Sequence, residues 1–266
     1  MKVGIAGFGT IGSTVGRALD EGLDGLSLEA VAGGDRGRTV AALSRLGRPV
    51  DLVTIAELAR RCDVIVECAP SEVFDSIARP VLQAGRILLT VSAAALLRHP
   101  DLIELAKSSG GRIILATGAL LGLDAVRAAA EGHIQSVTMI TRKPPKSLDG
   151  APYLLANHID IDHLSAPLKL FDGSAREGAL GFPANVNVAA ALALAGIGPD
   201  RTRLEIWADP SLSRNTHTIK VEADSARFEM TIENVPSPDK PGTGRITALS
   251  VIAALRALTA TLRVGT

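Results

Sequence analysis

The chain has 266 residues, about 1.8 times the roughly 150 residues of an average domain, which leaves room for one large core or two smaller ones. Hydrophobic residues make up 47 % and charged residues 21 %, with 26 Gly and 14 Pro, which excludes a disordered or collagen-like chain. Lys plus Arg (28) balance Asp plus Glu (28) and aromatic residues are only 3 %, so the basic field and stacking rings of a nucleic-acid binder are missing and no nucleic-acid partner is expected.

Residues 2–6 form a short apolar run that ends at Gly7. From Ile11 onward, Val15, Ala18 and Leu19 recur at the spacing of three and four that marks a helix. Further apolar runs at 28–32, 64–66, 87–91 and 113–115 read as strands, with helical stretches such as 73–82 between them. Strands separated by helices of that length need crossover connections, which predicts a doubly wound parallel sheet over about the first 118 residues.

The pattern then changes. Between residues 136 and 180 apolar positions alternate, as in Val137, Met139 and Thr141 or Ile159 and Ile161, with Pro144, Pro145, Pro152 and Pro167 as punctuation. Runs at 203–207, 216–222 and 226–232, with turn signals at Asp209-Pro210 and Ala223-Asp224, predict an antiparallel sheet. An Ala-rich helix from about Asn187 to Ala195, ending at Gly196, faces it. The longest apolar run, 186–198, falls short of the ~20 residues that span a bilayer, so no membrane partner is expected. An amphipathic segment at 245–262 is placed to return to the first domain. The expected organisation is a first domain over 1–118, a second over 119–242, and a final helix within 243–266 that packs back.

Cys62 and Cys68 have five residues between them, which is not the Cys-x-x-Cys of a redox or zinc pair, and both read as small core residues. Two cysteines in an apolar segment point to a reducing compartment. The N-terminus lacks the apolar stretch and cleavage site of a secretory signal, and a cytoplasmic location is expected.

The residues that carry chemistry begin at the first turn. Gly7-Phe8-Gly9-Thr10-Ile11-Gly12 is a G-x-G-x-x-G directly after a strand and opening a helix. The first glycine allows the tight turn, the second lets backbone approach a pyrophosphate, and the third lets helix and strand pack closely. The helix N-terminus then faces the anion. This context predicts a Rossmann dinucleotide-binding domain. An acidic residue about 20 positions on would hold the adenosine ribose of NAD, and Asp35 lies near that distance. Arg36 and Arg38 stand beside it and offer a grip on the 2′-phosphate of NADP, so both cofactors stay open.

Later in the chain, His217 follows a turn at the start of a strand, and histidine suits proton transfer near neutral pH. Spacing alone does not separate it from the other four histidines. In His158-Ile159-Asp160-Ile161-Asp162-His163, a strand would put His158, Asp160 and Asp162 on one face, the arrangement of a divalent-metal site and equally of a half-exposed strand. Nothing elsewhere completes a ligand set, so no metal is expected.

Several blocks in order resemble the L-aspartate dehydrogenase family. They are Gly7 to Gly12, Thr117-Gly118-Ala119-Leu120-Leu121-Gly122-Leu123-Asp124-Ala125, Thr141-Arg142-Lys143-Pro144-Pro145, Gly173-Ser174-Ala175-Arg176-Glu177, residues 182–190, residues 209–217, and Glu233-Asn234-Val235-Pro236-Ser237-Pro238. The resemblance covers nearly the whole chain. It implies an α/β protein with a Rossmann domain followed by a smaller α/β, α+β-like domain for substrate and dimerisation. It also implies reversible oxidative deamination of L-aspartate by NAD or NADP, through iminoaspartate to oxaloacetate and ammonia, in a homodimer. By the same resemblance His217 is the catalytic histidine, and Ala119, through its backbone, and Asn187 contact the nicotinamide cofactor. Arg142, Lys143 and Arg214 are candidates to hold the substrate carboxylates, since guanidinium and ammonium groups pair with them. The chain departs from the family at Asp239-Lys240-Pro241-Gly242-Thr243-Gly244, where an Asn-Pro-Lys-Thr-Ser block is common, and at Gly33-Gly34, where an acidic residue often stands. The alternatives are a related NAD(P)-dependent dehydrogenase or reductase for another small amino acid or dicarboxylate, and a catalytically silent cofactor-binding regulator.

Overall fold

The computed structural model describes residues 1–183, 186–237 and 243–265. They form two compact units, one of Met1–Gly118 with Thr247–Arg263, the other built on Ala119–Ile246. The expected boundary at residue 242, most of the altered 239–244 segment, and Ala184 and Asn185 of the 182–190 block lie outside the described residues.

In the first unit β1 (Lys2–Ala6) runs into α1 (Thr10–Glu21), then β2 (Ser27–Ala32), α2 (Arg36–Leu43), β3 (Asp51–Leu52), α3 (Ile55–Arg61), β4 (Val64–Glu67), α4 (Phe74–Gln83), β5 (Ile87–Thr90), α5 (Ala93–Arg98), α6 (Asp101–Ser109) and β6 (Arg112–Leu115). The six strands are all parallel, in the order β3-β2-β1-β4-β5-β6, which is the doubly wound sheet the crossover argument predicts. Two-residue β3 is too short to leave an apolar run in the sequence. The helical spacing in α1 has its cause in packing, because Gly12, Val15, Gly16 and Leu19 form its buried face. Helix α3 starts at a reciprocal cap in which Glu57 N donates to Thr54 Oγ1 (3.3 Å) and Thr54 N donates to Glu57 Oε2 (2.9 Å).

The second unit contains α7 (Leu123–Ala130), β7 (Ile134–Lys143), α8 (Pro152–Ala156), β8 (Leu168–Ser174), α9 (Ala175–Gly181), α10 (Asn187–Ala195), β9 (Thr202–Ala208), β10 (Asn215–Ala223) and β11 (Arg227–Asn234). After it comes α11 (Arg245–Thr259). The sheet order is β11-β10-β7-β9-β8. Strands β7 and β9 run parallel, so the expectation of a purely antiparallel sheet is corrected to a mixed one. The reason is the long connection between them, which carries β8, α9 and α10 and brings the chain back to the starting end. Along β7 the side chains of Val137, Met139, Thr141 and Lys143 are buried, and those between them are half-exposed. Helix α10 packs on β9 and α7, and its residues Val188 to Ala193 are all buried, which explains its nearly uniform apolar sequence.

The reading of 158–163 as a strand is also corrected. His158 and His163 have positive φ (52° and 59°) and Asp162 N donates to Asp160 Oδ1 (2.8 Å), so the segment is a pair of turns with exposed His and Asp side chains. Among the described residues no group of three His, Cys, Asp or Glu is placed to hold a metal.

The parallel sheet of the first unit separates two cores. Ile65 joins Leu58, Phe74, Leu82 and Leu88 on one face, while its neighbours Val64 and Val66 join Val3, Ile5, Val15 and Leu19 on the other, because successive side chains of a strand point to opposite faces. Val251 and Leu255 of α11 complete the second core, both fully buried, so the last helix belongs to the first unit. Leu255→Ala is expected to destabilise the unit by about 2–5 kcal/mol through loss of transfer energy and a residual cavity, read as a lower urea midpoint.

Candidate active site

The strand order reverses between β1 and β4, and ligands of open α/β sheets bind beyond the carboxyl ends of the strands at such a point. The Gly7–Gly12 turn occupies that place. Gly7 has φ of +94°, and its N–H donates to Ala32 O at 2.8 Å, holding the turn against the end of β2. A Cβ at Gly12 would overlap the carbonyl oxygen of Gly7, so only glycine lets α1 lie this close to β1. Phe8 seals the inner side, its ring packing where a Cβ on Gly16 would be. Gly9 is different. It is exposed, and a Cβ there would have nothing within 4 Å. Gly9 caps α1 without a side-chain hydrogen bond. The first amides of the helix, at Thr10, Ile11 and Gly12, are therefore aimed at open space beside Gly9. A pyrophosphate fits that space on steric and electrostatic grounds.

Behind the turn lies a buried carboxyl that the sequence reading did not single out. Glu67, the last residue of β4, accepts from Thr90 Oγ1 (2.6 Å) and from Ala69 N (2.9 Å), and Ser92 N donates to Thr90 Oγ1 (2.9 Å). Burial pushes its carboxyl above the ordinary range, opposed by those hydrogen bonds. The network ties the loops after β4 and β5 together. Its signal in the sequence is an ionisable residue inside an apolar run. Cys68, next in the chain, donates its thiol to Gly7 O (3.0 Å), and burial raises the pKa of both cysteines, Cys62 to about 11. Both are free, and they pack as core residues. Asp35 caps α2 by accepting from Arg38 N (3.0 Å), with Arg38 Nε 3.4 Å from its carboxylate.

In the second unit His217 lies on the buried face of β10, only 3 % exposed, between Thr141 of β7 and Ile232 of β11. Its Nδ1 is 3.1 Å from Thr141 Oγ1, which fixes the ring. Lys143, two residues beyond Thr141 on the same face of β7, is 5 % exposed. Burial, and secondarily the charge of Lys143, pull the His217 pKa down to about 3, and burial pulls Lys143 down to about 8. At neutral pH the site thus holds an uncharged imidazole and a buried ammonium. Arg142 points to the opposite face, 3.3 Å from Asp209 and with its guanidinium 5.1 Å from the centre of the Trp207 ring. Arg214 is exposed in the turn before β10. Of the three carboxylate candidates, only Lys143 shares the face of His217.

Ala119 begins the second unit, and its carbonyl accepts from Asn234 Nδ2 (3.0 Å), a buried side chain at the end of β11. Asn187 is the first residue of α10, exposed.

The sequence model of the C-terminal region of aspartate dehydrogenase matches residues 124–258, and that of the homoserine dehydrogenase NAD-binding domain matches residues 7–116. The L-aspartate dehydrogenase of Bradyrhizobium diazoefficiens is 56 % identical over 266 residues, covering 100 % of this chain and 94 % of the relative. The chain belongs to the aspartate dehydrogenase family. A second relative, L-aspartate dehydrogenase 3 of Bordetella bronchiseptica, is 54 % identical and covers 100 % of this chain and 98 % of its own. The crystal structure of aspartate dehydrogenase from Thermotoga maritima superposes with a TM-score of 0.74 at 26 % identity, covering 100 % of this chain and 99 % of that one. Membership agrees with an NAD(P)-binding Rossmann domain at 7–116 in an oxidoreductase.

Gly9→Ala is expected to fold with an unchanged melting temperature, since its Cβ meets nothing, yet to weaken NADH binding by about tenfold or more, equivalent to roughly 1.4 kcal/mol, in a fluorescence titration. Gly12→Ala, in contrast, lowers the melting temperature as well, because the new Cβ overlaps Gly7 O.

Proposed function

We propose that the protein is an NAD(P)-dependent L-aspartate dehydrogenase in which His217 is the proton-transfer residue and Lys143 an anchor for a substrate carboxylate. The observation that carries the reading is the buried imidazole of His217, held 3.1 Å from Thr141 Oγ1, on the same sheet face as the buried Lys143, in a chain of this family. A bound nicotinamide supplies the acceptor for the hydride of the aspartate α-carbon. The amides after Gly9 would hold its pyrophosphate, and by the family resemblance Ala119, through its backbone, and Asn187 would contact the nicotinamide cofactor. When Nδ1–H of His217 donates to Thr141 Oγ1, the lone pair of Nε2 is free to act as base. His217 takes a proton from the α-amino group, which leaves iminoaspartate after oxidation. Having passed that proton to solvent, it deprotonates the water that attacks the imine carbon, returns the proton to the nitrogen, and takes up the carbinol O–H proton as the nitrogen departs, so that oxaloacetate and ammonia leave. Lys143 balances the negative charge of the dicarboxylate in a chain whose overall charge is zero.

A homodimer and a cytoplasmic location complete the proposal. Half-buried Ile140 and Trp207, on the sheet face opposite His217, support self-association, which sedimentation velocity measures as a mass of twice 27.5 kDa. The two free thiols support a reducing compartment.

The direct test mixes protein, oxaloacetate, ammonium and NADH or NADPH and follows nicotinamide absorbance; no turnover with either cofactor at any pH from 6 to 10 overturns the reading. His217→Ala is expected to lower kcat by about 10² or more while cofactor affinity stays the same. Lys143 has a lowered pKa, so its positive charge is present below about pH 8 and lost above it. KM for oxaloacetate therefore rises above that pH, while in Lys143→Arg, whose side chain stays charged, KM stays flat across the same range.

A further inference from the structure

The Rossmann domain leaves the adenosine end of the cofactor undecided between NAD and NADP, and the loop after β2 carries information on that choice. In this fold the residue leaving the second strand lies beside the adenosine ribose. An acidic side chain there accepts from the 2′-hydroxyl of NAD, whereas a nearby arginine accommodates the 2′-phosphate of NADP. Here β2 ends at Ala32, whose carbonyl accepts from Gly7 N (2.8 Å), so Gly33 is the residue that emerges beside the glycine turn.

No carboxylate can stand at Gly33. A Cβ there would overlap Thr39 Oγ1 and lie 3.1 Å from Thr39 Cγ2. Thr39 has no freedom to retreat, being buried and donating its hydroxyl to Asp35 O at 2.7 Å. Gly34, the next residue, is exposed, and a Cβ there would find nothing within 4 Å, so the loop is open at this point. The first acidic residue is Asp35, and its carboxylate is already engaged by the backbone amide of Arg38 (3.0 Å) and by Arg38 Nε (3.4 Å). Arg36 and Arg38 are both exposed, the Arg38 side chain 90 % so. The loop therefore presents two exposed arginines, an open position at Gly34 and a carboxylate committed to capping a helix.

We propose that Gly33–Arg38 is a 2′-phosphate subsite, with Gly34 providing room and Arg36 and Arg38 as the specificity-determining cations, so that the chain selects NADP(H) over NAD(H). Guanidinium groups pair with phosphate oxygens through two parallel hydrogen bonds. Arg38 gives up little in turning to the phosphate, because an ion pair as exposed as the one with Asp35 is weak. With formal net charge +0 on the whole chain, no long-range field compensates for the loss of these two local cations.

The inference rests on the dinucleotide-binding reading, and two measurements separate its failure from failure of the activity. In the amination assay kcat/KM for NADPH is expected to exceed that for NADH by about tenfold or more, and the NADPH to NADH ratio falls about tenfold in Arg36→Ala and in Arg38→Ala. Calorimetry with adenosine 2′,5′-bisphosphate against AMP, which needs no turnover, is expected to show tighter binding of the bisphosphate, an advantage that shrinks in both variants and with added salt. Equal or better use of NADH, or equal binding of the two adenosine ligands, overturns the proposal. An unchanged ratio in the Arg36→Ala/Arg38→Ala double variant overturns it as well. Absence of turnover with both cofactors while the bisphosphate still binds more tightly overturns the aspartate reading and leaves the subsite standing.

Discussion

The tightest constraint among the described glycines is the approach of Gly12 to the carbonyl of Gly7, where no side chain fits. It brings the start of α1 against the end of β1, which turns the free amides of the helix toward the open side of Gly9 and lets Val15 and Leu19 reach the core shared with Val3 and Ile5. The same turn receives Cys68 from β4 and donates to the end of β2. Three parallel strands thus converge on one glycine turn, and the open space beside Gly9 is a by-product of how tightly they are packed. Glu67 works at the same place from behind, since its hydrogen bonds to Thr90 and Ala69 hold the two loops that flank the turn.

The second unit solves a different problem with sheet periodicity. A histidine and a lysine, His217 and Lys143, are both kept from water on one face of the sheet. Alternation along β7 places Thr141 and Lys143 on that face, and the antiparallel pairing of β7 with β10 sets His217 opposite Thr141. Burial then acts in the same direction on both groups, disfavouring the charged form. The imidazole, with an ordinary value near neutrality, is left wholly uncharged at pH 7. The ammonium, which starts four units higher on the usual scale, still carries its proton. One environment produces two different protonation states because the starting values differ.

Much of this was legible in the amino-acid sequence. Strands β1, β2, β4 and β5 show as apolar runs because parallel strands inside the sheet are largely buried on both faces, edge strand β6 keeps a half-buried run from Ile113 to Leu115, and α1 shows through its period because one face only is buried. The glycine turn was legible because Gly7 and Gly12 answer to separate steric demands and Gly9 leaves the space beside the helix start open. Less legible were β3, with two residues, and β8, whose pairing is broken by an irregularity between Lys169 and Phe171. The 158–163 segment has the alternation of a strand, yet its two positive-φ histidines make turns, and alternation in a short polar segment does not distinguish the two.

What the sequence determined alone is local: where apolar periodicity changes, where glycine alone fits, and which family the blocks follow. Tertiary structure decided which groups meet. That β7 pairs in parallel with β9, that Lys143 shares the face of His217 while Arg142 turns away to Asp209 and Trp207, and that Asn234 holds the carbonyl of Ala119 across more than a hundred residues all depend on pairing between distant segments. The charge state of His217 belongs to the same class, because it is set by the exclusion of water, which no spacing of residues along the chain encodes.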